Sequence, residues 1–113
     1  MARVLVFVPD LLFGSKVMAA VQAAGHEPVL VTDLDQGTPE LPGAELLIVD
    51  LTTEASQRIA RASALEGVPK LAFYSHVEAD VRTAAEQAGF ELVVPRSRMA
   101  RDGAALVSRL LSD

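Results

Sequence analysis

A chain of 113 residues and 12.0 kDa is long enough to bury one sizeable core and too short for two, so residues 1–113 read as a single domain. Half of the residues are hydrophobic and 22% are charged, which excludes a disordered tail. Fifteen acidic against ten basic residues, net −5, remove the attraction on which non-specific nucleic-acid and anionic-membrane binding rely.

The first apolar run, Val4–Val8, is short and continuous and breaks at Pro9-Asp10, too early for a secretory signal. It reads as a strand buried on both faces. Phe13, Val17, Ala20, Val21 and Ala24 then recur at helical spacing, with Gly25 as a left-handed C-cap. Val29–Val31 is the second strand. The next link, Leu34–Ala44, carries Gly37, Pro39, Pro42 and Gly43 and cannot hold a regular helix of useful length. Leu46–Val49 is the third strand, followed by a helix on Ala55, Ile59, Ala62 and Leu65 that ends at Gly67. Leu71–Tyr74 is the fourth, followed by a helix on Val77, Val81, Ala84 and Ala88 that ends at Gly89. Leu92–Val94 is the fifth, and Met99, Leu106 and Leu110 stripe the last helix. The chain has no cysteine, hence no disulfide, thiolate nucleophile or Cys-type zinc site. No apolar run approaches the roughly 18 residues of a membrane span. A soluble cytoplasmic protein is expected.

In an open parallel sheet, ligands bind outside the carboxyl ends of the strands, at the switch point where the chain reverses its direction along the sheet. Those ends carry Asp10, Ser15 and Lys16, then Asp33, then Asp50 and Thr52, then Ser75 and His76, then Arg96, Ser97 and Arg98. Several have a local use. Asp10, Thr52 or Thr53, and Ser97 are placed as helix N-caps, and Ser75-His76-Val77-Glu78 fits the capping box S-x-x-E. Asp50 ends the central apolar run, where a carboxylate either caps the next helix or is presented to a site. Lys16 and Arg96, if they lean over the rim, meet Asp50 there. His26 and His76 lie fifty residues apart without metal-ligand spacing. The strand-one turn lacks both G-x-G-x-x-G and the phosphate-cradling P-loop, and no G-x-S-x-G elbow is present.

With the strands placed, the chain resembles the receiver domains of bacterial two-component response regulators, the CheY-like branch of the flavodoxin-like folds. Arg3–Val8 resembles a receiver's opening strand. Glu45–Leu51 resembles the third strand, with Asp50 at the phospho-acceptor position. Val68–Ser75 resembles the fourth, which ends in a Ser or Thr that hydrogen-bonds the phosphoryl group. Gly89–Arg96 resembles the segment ending in the family's lysine, here Arg96. The acidic pair that holds Mg²⁺ in receivers aligns with Val8 and Pro9, leaving Asp10 one place later. Replacing those carboxylates weakens a site that depends on them.

The resemblance implies a three-layer αβα sandwich with a five-stranded parallel sheet in the order 2-1-3-4-5, the helix between strands two and three missing or very short. The function expected is a degenerate, stand-alone receiver-like signalling or regulatory module that acts through protein partners without efficient phosphotransfer and turns over no substrate. Two alternatives use the same rim. One is a small-anion or nucleotide site, with Lys16, Arg96 and Arg98 on phosphate and helix starts supplying amides. The other is a genuine Asp50 acceptor, with Ser75 and Arg96 beside it and Asp10 and Asp50 holding Mg²⁺ weakly. Ser15, Thr52, His76 and Ser97 complete the candidate ligand contacts, and no other cofactor is expected. A homodimer is expected too, to cover apolar surface left by the missing helix or offered by the last helix.

Overall fold

The computed structural model describes residues 1–34, 42–75 and 77–111. Its elements in chain order are β1 (Arg3–Phe7), α1 (Leu11–Ala23), β2 (Glu27–Leu30), β3 (Leu46–Asp50), α2 (Ala55–Ser63), β4 (Lys70–Tyr74), α3 (Ala79–Gln87), β5 (Leu92–Pro95) and α4 (Arg96–Leu111). All neighbouring strands pair parallel, in the order β2-β1-β3-β4-β5. The strand ends are level, with Phe7 opposite Val49, Asp50 opposite Phe73 and Tyr74 opposite Pro95. The four strands β1, β3, β4 and β5 therefore deliver their last side chains to one rim.

Because side chains alternate along a strand, the apolar runs fill two separate cores. Val4, Val6, Leu46, Ile48, Leu71 and Phe73 pack with Phe13, Val17 and Val21 of α1 and Met99, Leu106 and Val107 of α4. Leu5, Leu47, Val49, Ala72 and Val93 pack on the other face with Ala62 and Leu65 and with Val81 and Ala85 of α3. Every residue of β3 and β4 is buried, which is why those runs are continuous rather than alternating. Gly25, Gly67 and Gly89 sit at φ +87°, +83° and +97°, the left-handed turn expected after each helix.

Between β2 and β3 the described residues contain no helix. Leu34 instead folds back, buried in the same core as Leu5 and Leu47, so the link itself supplies apolar cover on that face. Leu41, the other residue with apolar reach in this link, lies outside the described residues. The stripe of the last helix is absorbed internally, since Met99, Leu106 and Val107 are buried and Leu110 and Leu111 pack against the same core. No described helix is long and apolar enough to cross a membrane.

Three local expectations are corrected. Ser75 does not open a capping box: its carbonyl accepts from the Glu78 N–H at 2.9 Å, and α3 starts only at Ala79 without a side-chain cap. Val81 is buried as the stripe requires, but the later start leaves Val77 exposed and buries Ala85 in place of Ala84 and Ala88. Neither Thr52 nor Thr53 caps α2, whose N-cap residue is Glu54 in a left-handed conformation. Ser97 falls inside the first turn of α4 rather than before it.

Candidate functional site

Asp10 leaves β1 in extended conformation and caps α1, its Oδ1 accepting from the N–H groups of Leu12 at 2.9 Å and Phe13 at 3.1 Å. Its Oδ2 faces Arg96 Nη2 at 3.5 Å. Arg96, at the first turn of α4, lays its guanidinium over the Phe13 ring with Cζ 4.3 Å from the centroid, and Phe13 in turn tilts against Phe73 at 4.9 Å. This stack, buried at Phe13 and Phe73 and half-exposed at Arg96 and Asp10, fastens the β1 exit to the β5 exit across the rim.

Asp50 closes β3 and is 5% exposed. Its Oδ1 accepts two hydrogen bonds from Thr52, from the backbone N–H at 2.8 Å and from Oγ1 at 2.5 Å, an Asx turn that explains why Thr52 is not a cap. The cation beside it is Arg58 of α2, rather than Lys16 or Arg96. Arg58 Nη1 donates to the Asp50 carbonyl at 2.9 Å and lies 3.8 Å from Oδ2. Nη2 is 3.5 Å from Glu54, and Cζ is 5.1 Å from the Phe7 ring centroid.

Sequence reasoning passed over Arg58, Glu54 and Phe7. The signal was present in the spacing, since Arg58, Ala62 and Leu65 stand four and three residues apart and fall on one helical face. An arginine on a buried stripe calls for a buried carboxylate. Asp50 lies eight residues before it.

The other candidates are distributed as follows. Thr52, Ser75, Arg96 and Ser97 line one cleft of about 640 Å³, with Phe13 as part of its wall and Glu78 at its margin. Arg98 turns along its own helix toward Asp102 at 3.9 Å. Ser15 and Lys16 are exposed on α1 and enter none of the contacts that join Asp10, Asp50 and Arg96. His76 lies outside the described residues.

The Mg²⁺ that the resemblance implies does not fit these groups. Val8 is buried among apolar side chains and Pro9 offers no side-chain ligand. Asp10 is engaged by α1 and Arg96, and Asp50 by Thr52 and Arg58. Among the described residues no group of three or more His, Asp or Glu side chains could hold a metal ion.

Comparison of the fold with solved structures returns response-regulator receivers. A response regulator from Thermotoga maritima superposes with a TM-score of 0.81 at 14% identity, over 100% of this chain and 99% of that one. A receiver protein from Burkholderia phymatum gives 0.79 at 21% identity, over 98% and 95%. The non-phosphorylated HemR receiver domain from Leptospira biflexa gives 0.80 at 13%, over 100% and 96%. No family model and no curated protein matches the sequence. The chain thus has the CheY-like receiver fold, with the α/β sheet order expected of it.

Proposed function

We propose that this receiver-like chain is a signalling or regulatory module that works through a protein partner and does not carry its signal as a phosphoryl group on Asp50. The likeness to response-regulator receivers supports the signalling class. The engagement of Asp50 supports the second half. A phospho-acceptor must present a carboxylate oxygen in line with the leaving group, with cations neutralising the transferred group. Here Oδ1 is held by two hydrogen bonds, Oδ2 faces a guanidinium, and the residue is nearly buried.

Incubation with acetyl phosphate and Mg²⁺ is expected to leave the intact mass unchanged. A phosphate adduct on the wild-type protein that disappears in Asp50→Asn reverses this reading in favour of a genuine acceptor.

One observation favours a second reading, a small-anion site in the rim cleft. Three hydroxyl residues, Thr53, Ser75 and Ser97, line that cleft together with Arg96, whereas the Thr52 hydroxyl is spent on Asp50, and hydroxyls plus a guanidinium suit a phosphate or carboxylate. Asp10 on the same arginine and Glu78 at the margin oppose an anion, so binding is expected to be weak and salt-sensitive. A thermal shift with inorganic phosphate that survives Arg96→Ala removes this site.

A further inference from the structure

We infer that Arg58 is the built-in cation of this fold, a guanidinium seated where a receiver would hold a divalent metal ion. The sheet order β2-β1-β3-β4-β5 places the switch point between β1 and β3, and that crevice is where a ligand of such a sheet settles. Arg58 fills it from α2. The guanidinium bonds the last carbonyl of β3, faces the Asp50 carboxylate and lies over Phe7, the last side chain of β1. It is 8% exposed.

The residue that opens α2 also contacts Arg58. Glu54 adopts φ 50°, ψ 40°, a conformation that a residue other than glycine keeps only when its surroundings over-determine it. In that conformation its carbonyl accepts the Arg58 N–H at 3.0 Å while its carboxylate meets Arg58 Nη2 at 3.5 Å. The first of these is the opening hydrogen bond of α2 and the second a mostly exposed ion pair, so the contact that ties Arg58 to the sheet is its bond to β3.

A nearly buried guanidinium beside a nearly buried carboxylate repels a dication that approaches that carboxylate. The carboxylates that could outbid it are missing, because Val8 and Pro9 replace the acidic pair and Asp10 is committed to α1 and Arg96. Asp50 therefore has its cationic partner within the chain, and the start of α2 is joined to the end of β3 whether or not Mg²⁺ is present. This deepens the proposal above by naming the cation. Its test reads cation binding and rescue rather than phosphorylation, so the two fail separately.

Titration with Mn²⁺, followed by the loss of the free-ion electron paramagnetic resonance signal, is expected to show no saturable binding to the wild-type protein. Saturable binding that is lost in Asp50→Asn overturns the assignment. Arg58→Ala is expected to lower Tm by about 10 °C, as removing one member of a buried pair does in a chain of this size. Millimolar ethylguanidinium is expected to restore part of that loss in a saturable way, to leave wild-type Tm unchanged, and to act where ethylammonium does not, because only the planar fork matches the two acceptors. A destabilised Arg58→Ala protein that ethylguanidinium fails to restore makes Arg58 a packing residue only and overturns the inference. Should Arg58→Ala not fold, Arg58→Lys carries the test: a lowered Tm with Mn²⁺ still unbound supports the inference, and wild-type stability overturns it.

Discussion

Asp10 and Asp50 both stand at the carboxyl-end rim, Asp10 as the cap of α1 three residues beyond β1 and Asp50 as the last residue of β3, and burial decides by how much each matters. Asp10 is half-exposed, so its pair with Arg96 is screened and contributes little. Its two hydrogen bonds to the first turn of α1 are the larger part. Asp10→Ala is therefore expected to lower stability by about 1 kcal/mol, read as a shift in urea midpoint at constant slope, and Asp10→Asn to recover most of it. Asp50→Ala strands the buried Arg58 guanidinium and is expected to cost about 3 kcal/mol. Equal losses for the two alanine variants would contradict this ranking. The cap of Asp10 was legible in the sequence because capping depends on a few adjacent residues. The pairing of Asp50 with Arg58 was not, because a search confined to strand ends passes over a side chain that returns to the rim from inside a helix.

At the scale of elements, the contact between α1 and α4 rests on absent atoms. Gly103 is buried, and a Cβ built there would stand 3.0 Å from the Cβ of Ala20. The helix is kinked one residue earlier, at Asp102 with φ −117° and ψ 16°, so α4 bends where it meets α1. Gly103→Ala would gain helix propensity of up to about 1 kcal/mol in a regular helix, but overpacking of this kind costs about 1 to 3 kcal/mol. The overlap is expected to win, leaving the variant about 1 kcal/mol less stable. Adding Ala20→Gly is expected to relieve more than the sum of the single effects predicts, since the two side chains touch. Chemical denaturation of the four proteins decides, and a Gly103→Ala chain at least as stable as wild type rejects the packing argument. The element order itself was readable because β3 and β4 are buried on both faces and each strand is one short apolar run. The capping box at Ser75 misled because S-x-x-E is satisfied equally well by a backbone turn, which moves the helix start and rotates its buried face. Glu54 was hidden for a related reason: nothing in a local pattern announces a left-handed glutamate as the residue before a helix.

For the whole molecule, the surfaces first expected to drive self-association are used internally, since the α4 stripe packs into the core and Leu34 folds onto the sheet. A different apolar patch remains at the ends of β1 and β2. Leu11 is 80% exposed, Leu12 87% and Leu30 48%, and Leu11 and Leu30 flank a concavity of about 230 Å³ with Val8 and Pro9. The homodimer is retained here as a proposal, with this patch as its contact. Strand-to-strand pairing across the neighbouring β2 edge is disfavoured, because Pro28 has no N–H to donate. A two-fold contact between patches, the commonest closed symmetry, needs no such pairing. Each chain carries a net charge of −5, so the contact forms against like-charge repulsion that salt screens, while apolar burial is left intact. Sedimentation velocity is therefore expected to show a concentration-dependent dimer that strengthens as NaCl is raised and is lost in the double variant Leu11→Ser, Leu30→Ser. A monomer at every concentration and salt sinks the homodimer. A dimer weakened by salt instead locates the contact among the charged side chains of the rim.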